Sequence, residues 1–126
     1  MKPTVLFPVK CDPVHIGHVM QIKELLLNGY DVTVDLLNSE NRVQSIIDVH
    51  EILKIIFDNQ VTFRIHSISY AKVVPKYLMN YDYLATGNRD IISAINLSGA
   101  SIQVIPLQRI KGYRASKMRE MYEEET

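Results

Sequence analysis

The sequence predicts an α/β fold built on a parallel sheet, and three observations carry that prediction. Short apolar runs bounded by turn residues alternate with segments whose apolar residues recur every three or four positions. No internal repeat or low-complexity tract interrupts the alternation over the 126 residues. Apolar residues make up 47% and charged residues 22%, the balance of an ordinary globular chain. Strands alternating with helices imply parallel strands joined by crossovers, and the length predicts one domain over residues 1–126.

The elements follow in order. Thr4 to Val9 is an apolar run closed by Lys10, Asp12 and Pro13, and reads as a buried first strand. His15 to Leu27 has helical spacing and stops at Asn28-Gly29. Asp31 to Leu37 is a second strand with Val32, Val34 and Leu36 on one face. Ser45 to Phe57 carries Ile46, Val49, Leu53 and Ile56 at helical steps. Val61 to Ile68 reads as a third strand, and Tyr70 to Asn80 as a helix containing Pro75. Tyr81 to Thr86 is a fourth strand ending at Gly87-Asn88, followed by a helix over Arg89 to Leu97. Ser101 to Pro106 is a fifth strand and Ala115 to Glu124 a final helix.

Charge and cysteine content narrow the function. Formal net charge is zero, so no overall field recruits nucleic acid or an anionic membrane, and neither is expected as a partner. Anion binding must come from a local site. The single cysteine, Cys11, excludes an internal disulfide framework. No apolar run approaches the roughly 20 residues of a membrane span. Met1 to Thr4 leads into an apolar run without a signal-peptide pattern, so a cytoplasmic location is expected.

Ligands of open parallel sheets bind beyond the carboxyl ends of the strands, near the switch in strand order. That rule points to the turn after strand one, which reads Cys11-Asp12-Pro13-Val14-His15-Ile16-Gly17-His18. Two histidines three residues apart in a first helical turn share a side. The helix start offers unpaired backbone N–H groups and a partial positive charge, and Gly17 permits close approach. Lys10 adds a cation beside the same turn. Together they form a pocket for phosphate oxygens, suited to displacement at the α-phosphorus of a nucleoside triphosphate. Two other readings stand beside this one. The histidines alone are too few for a zinc site unless Asp12 joins, and a histidine at a helix start is commonly an ordinary surface residue.

A second stretch, Arg109 to Glu120, sets basic groups around Gly112 and puts Ser116 in a first-turn or N-cap position. Such a start can hold β- and γ-phosphates; taken alone, it reads first as a capped, solvated helix whose Lys117 and Arg119 balance Glu123 to Glu125. His50 and His66 read as structural or surface residues. Cys11 reads as packing, because a nucleophilic role needs a neighbouring base and only His15 or His18 is at hand. Tyr70, Tyr77, Tyr81 and Tyr83 read as core, rim or oligomer-face residues.

The Asp-Pro-Val-His-Ile-Gly-His string resembles the signature of the HIGH-motif nucleotidyltransferases. That superfamily includes glycerol-3-phosphate cytidylyltransferases and the adenylyltransferases of phosphopantetheine and nicotinamide mononucleotide. Tyr113 to Glu120 resembles its closing Ile-Ser-Ser-Thr-Lys-Ile-Arg-Glu, with Ser116 on the Thr and Arg119 on the Arg. Arg109 falls where cytidylyltransferases carry an arginine, and Gly87-Asn88-Arg89-Asp90 where relatives have a turn near base and ribose.

The resemblance implies a Rossmann-like three-layer fold with sheet order 3-2-1-4-5. It implies transfer of a nucleoside monophosphate from NTP to a small phosphate monoester, with release of pyrophosphate. His15, His18 and Lys10 would be catalytic. Val9, Cys11, Gly17, Gly87, Asn88, Arg89, Arg109, Arg114, Ser116 and Arg119 would line the nucleotide and phosphate site. Mg²⁺ would arrive with the nucleotide and need no protein-only metal site, and a homodimer is expected. Chain length and Arg109 with Gly112 favour CTP, whereas Asp-Pro-Val-His resembles the adenylyltransferases.

Departures from the pattern are specific. Val9 stands for a Gly, Lys10 for a Thr, Ser or Arg, Arg114 and Ala115 for hydroxyl residues, and Val49 for an arginine in the second helix. Arg42 is the nearest cation after strand two. These departures motivate a rival reading, a nucleotide-binding protein of the same fold without turnover. Another is a redox or metal protein using Cys11 with His15 and His18.

Overall fold

The computed structural model describes residues 2–67, 80–87, 89–98 and 102–107. Five strands form one parallel sheet: β1 (Thr4–Val9), β2 (Asp31–Asn38), β3 (Val61–Ser67), β4 (Tyr83–Thr86) and β5 (Gln103–Pro106). Their order is β3-β2-β1-β4-β5, the predicted Rossmann-like arrangement. Among the described residues the helices are α1 (Ile16–Leu27), α2 (Ile46–Phe57) and α3 (Arg89–Ser98), with a 3-10 turn over Asp58–Gln60 following α2. The helices expected over 70–80 and 115–124 lie outside the described residues.

Strand alternation divides the core into two layers. Val5, Phe7, Val32, Val34, Leu36, Val61 and Ala85 face Ile22 and Leu25 of α1 and Val49, Leu53 and Phe57 of α2. Leu6, Leu37 and Leu84 point the other way and pack against Ile91 and Ile95 of α3. In β1 the four residues from Val5 to Pro8 are all buried, as expected for a central strand covered on both faces. The helices sit on opposite faces on either side of the β1–β4 boundary, so the strand order reverses there. The carboxyl ends of β1 and β4 therefore open into the crevice where such folds bind ligands.

The ends of the elements explain the small differences from the sequence reading. α1 starts at Ile16 because His15 is its N-cap, and it ends at Asn28 with Gly29 at φ +86, a conformation that favours glycine. Ser45 caps α2, its Oγ accepting from the Ile47 amide at 3.3 Å. β4 begins at Tyr83 rather than Tyr81 because Asp82 is committed to β1: its carboxylate accepts from the Thr4 amide at 2.9 Å, and its own amide donates to the Thr4 hydroxyl at 3.0 Å.

Tyr83 packs edge-on to Tyr30 at 5.4 Å, and Tyr81 joins the second core. Ile102 also packs into that core, but strand pairing starts only at Gln103. Among the described residues no helix is long and apolar enough to cross a membrane.

Candidate active site

The site grows out of the turn between β1 and α1. β1 ends at Val9; Cys11 then adopts a positive φ of 49°, and the Asp12–Pro13 peptide bond is cis. Three residues of the following β2–α2 segment, Arg42, Val43 and Gln44, hold this turn. Asp12 is buried, and its Oδ1 accepts from the backbone amides of Val43 at 2.9 Å and Gln44 at 3.0 Å. Gln44 Oε1 accepts from the Val14 amide at 2.9 Å. Arg42 donates from Nη2 to the Cys11 carbonyl at 2.7 Å, from Nη1 to Leu37 O at 3.0 Å, and from Nε to Gln44 O at 2.9 Å. Arg42, the cation after strand two, is thus a loop-to-loop clamp. Asp12 is likewise an acceptor for two amides.

His15 and His18 cap α1 with each other's help. His15 Nδ1 accepts from the Gly17 amide at 3.0 Å, and His18 Nδ1 accepts from the His15 amide at 3.2 Å. This is the reciprocal logic of a capping box with imidazoles in both roles. The rings lie 3.9 Å apart between centroids, tilted by 31°. The sequence reading expected the helix start to offer unpaired amides, and the structure corrects it. The His18 and Val19 amides donate to the His15 carbonyl at 3.0 and 3.4 Å, and the Gly17 amide is taken by the ring. The Gly17, His18 and Val19 amides are therefore engaged within the turn, and the two imidazoles stand beside them.

Because each Nδ1 accepts, the neutral ring carries its proton on Nε2. Burial pushes the His18 pKa down to about 3, with a smaller contribution from neighbouring His15, and burial also lowers that of His15. Both rings are neutral at pH 7, so they act as hydrogen-bond donors through Nε2–H.

A pH dependence follows. Unfolded His18 takes up its proton near the ordinary imidazole value of about 6.5, whereas the folded ring resists until about 3. Between those values the unfolded chain binds more protons, so stability falls as pH falls through that window. The loss attributable to His18 between pH 7 and pH 5 is about 2 kcal/mol. Urea unfolding at the two pH values checks this. The variant His18→Asn, which keeps an acceptor for the His15 amide but cannot titrate, should lose less stability by that amount. Equal losses in variant and wild type would remove His18 as the cause.

The structure places the remaining predicted residues as follows. Lys10 is half-buried beside the turn, and Val9 is half-buried and packs against the first core. Cys11 is buried in that core, and burial pushes its thiol pKa up well beyond the ordinary range, so the thiol stays protonated. Gly17 is buried within α1. Gly87 follows β4, and a Cβ there would stand 3.0 Å from the Leu107 backbone oxygen, so this position admits no side chain without displacing the end of β5. Arg89 opens α3. Asn88, Arg109, Arg114, Ser116 and Arg119 lie outside the described residues, as do Tyr70 and Tyr77. His50 packs edge-on to Phe63 at 6.1 Å. Among the described residues no group of three or more His, Cys, Asp or Glu is arranged to hold a metal ion.

Sequence reasoning missed a charged pair on the face opposite α1 and α2. Asp35 is fully buried in β2, and Arg64 of β3 grips it through Nε at 2.8 Å and Nη2 at 3.0 Å. His66 Nε2 lies 3.5 Å from the same carboxylate, and the Arg64 guanidinium stands 5.9 Å over the Tyr81 ring. The available signal was an aspartate inside an otherwise apolar strand. Aligned in parallel, β2 and β3 set Asp35 directly beside Arg64.

The class defined by this fold is the doubly wound, Rossmann-like α/β sheet with a crevice at the β1–β4 switch. Among solved structures it is shared by a bifunctional NMN adenylyltransferase/ADP ribose pyrophosphatase from Francisella tularensis. That protein matches with a TM-score of 0.77 at 14% identity, over 100% of this chain and 43% of the other. The same protein complexed with AMP and Mn ion matches with a TM-score of 0.72 at 14% identity, with the same shares of the two chains, 100% and 43%. A lipopolysaccharide core biosynthesis protein from Thermoplasma volcanium GSS1 matches with a TM-score of 0.60 at 16% identity, over 88% of this chain and 100% of that one. The chain thus spans less than half the length of the bifunctional protein. No protein-family model matches the sequence, and no curated protein matches it.

Proposed function

We propose that the protein is a nucleotidyltransferase that moves a nucleoside monophosphate from NTP to a small phosphate monoester. One observation carries the reading: two neutral, mutually capped imidazoles stand 3.9 Å apart at the start of α1, beside the carboxyl end of β1. In the reaction, an oxygen of the acceptor phosphate attacks the α-phosphorus while the bond to the bridging oxygen breaks, and pyrophosphate leaves with that electron pair. Negative charge builds on the equatorial oxygens and on the leaving group. Nε2–H donors fixed in place stabilise it without reorganising.

In this proposal His15 and His18 act on the α-phosphate, with Lys10 beside them. Ser116 and Arg119 hold the triphosphate, Arg109 and Arg114 assist, and the turn at Gly87, Asn88 and Arg89 faces base and ribose. CTP is the proposed donor, with ATP the alternative that the adenylyltransferase neighbour supports. Mg²⁺ is proposed to arrive with the polyphosphate, whose charge it neutralises. The donor set at the histidine turn fits phosphate oxygens rather than a metal ion, and the Mn ion recorded with AMP in the Francisella protein supports a divalent cation. A cytoplasmic protein acting as a homodimer completes the proposal.

A second reading, nucleotide binding without turnover, is favoured by Val9, whose side chain occupies core where a glycine would let a phosphate approach the backbone. The test is a thermal-shift series with Mg²⁺ and each of ATP, CTP, GTP and UTP. It is followed by pyrophosphate release over a panel of phosphate monoesters. A nucleotide at about 100 times its dissociation constant stabilises by roughly 2.7 kcal/mol. A shift with pyrophosphate release supports the enzyme. A shift without release over the panel supports the second reading, and no shift with any nucleotide overturns both.

A further inference from the structure

Arg42 spans three backbone carbonyls from three places: Leu37 at the end of β2, Gln44 just before α2, and Cys11 in the turn that leads to the histidines. The reverse direction is held as well. Asp12 of the histidine turn accepts from two amides of the Arg42 segment, and Gln44 accepts from Val14, the residue before His15. The two loops are therefore crosslinked by four hydrogen bonds between residues about thirty positions apart, and two more within the second loop fix the planar guanidinium beside them. A lysine ammonium, a point charge on a flexible stem, has no fork with which to reach three carbonyls in fixed directions.

We infer that Arg42 is a positioning residue of the histidine site: it fixes the Cys11–Val14 turn so that His15 and His18 cap α1 through Nδ1 and keep Nε2–H in a fixed orientation. The inference takes from the proposed function only the location of the site, and its first readout needs no activity. The physical reasoning is short. Cys11 sits at a positive φ that non-glycine residues rarely adopt, and the Arg42 bond to its carbonyl holds that conformation. Three residues on, Val14 is fixed by Gln44, so His15 enters the helix with its amide aimed at the His18 ring. Released from Arg42, the turn has no other described side chain on the Cys11 carbonyl, and the capping geometry loosens with it.

The experiment uses ¹⁵N-labelled full-length wild type, Arg42→Gln and Arg42→Lys. Amide hydrogen exchange is read residue by residue, together with titrations of Mg-ATP and Mg-CTP. The expected result is faster exchange of the His15 and Gly17 amides, by about tenfold or more, with the Val5 and Val34 amides of the sheet unchanged. Nucleotide affinity should change by less than about threefold while the transfer rate falls, because the donors are misaimed rather than removed. The lysine variant should show the same local quickening, since it keeps the charge and loses the fork; it carries the test alone if the glutamine variant does not fold. His15 and Gly17 exchange unchanged in both variants overturns the inference. Uniform quickening across the sheet also overturns it, because the role is then only structural. Loss of nucleotide affinity with unchanged exchange makes Arg42 a direct ligand and overturns it too. If wild type binds neither nucleotide, the proposed function fails while the exchange pattern still decides what Arg42 does.

Discussion

His18→Ala is expected to lower turnover by about two to four decades while leaving the fold intact. The ring supplies one donor, Nε2–H, in a place where water is largely excluded, since His18 is 8% exposed. Removing a donor of that kind costs most where charge appears only in the transition state. The expected split is therefore a fall in kcat with a small change in nucleotide KM. The structural cost is separate and small: the His15 amide loses its acceptor, worth about 1 kcal/mol at a helix start. A melting curve on the same sample distinguishes the two effects. Near-wild-type turnover in a folded variant sinks the catalytic role.

Arg64→Met is the substitution expected to cost the most stability. It leaves Asp35, fully buried, without the two-pronged partner that now neutralises it. Breaking a buried pair from one side typically costs about 3–5 kcal/mol; the Arg64 side chain is 35% exposed, which places the expectation near the lower end, about 3 kcal/mol. Replacing both partners at once, Asp35→Leu with Arg64→Met, removes the stranded charge and should recover most of the loss. Urea unfolding of the single and double variants measures the coupling. A single variant within about 0.5 kcal/mol of wild type would show that the pair contributes little.

Much of the fold was legible because hydrophobic patterning and turn chemistry agreed. The runs Thr4 to Val9 and Val32 to Leu37 are apolar in the way a doubly covered sheet requires, and Asn28-Gly29 marks its helix end by chemistry alone. Boundaries slipped where tertiary bonds decided them. Asp82 is held by Thr4, and the 3-10 turn after α2 has no signal beyond Asp58 and Asn59.

The histidine turn was legible as a place, because strand, Asp-Pro turn and helix follow in order. Its donors were not. Sequence alone suggests unpaired amides at a helix start and marks Arg42 only as the cation after strand two, whereas the rings take the His15 and Gly17 amides and three carbonyls take the guanidinium. Both outcomes depend on which lone pairs meet which N–H groups across two loops, and spacing along one chain does not encode that. Asp35 and Arg64 escaped notice for the same reason: each looks like a solvent-facing charge until the strands are set in register.

The reciprocal capping of α1 has one more consequence. An imidazole that carries a second proton has no lone pair left on Nδ1, so neither histidine can become a cation and remain a cap. Gaining charge and serving as a cap are mutually exclusive states of each ring. The pair is thereby confined to giving hydrogen bonds and unsuited to storing protons. A bound polyanion that drew a proton into the site would do so by giving up a cap of the helix that holds it.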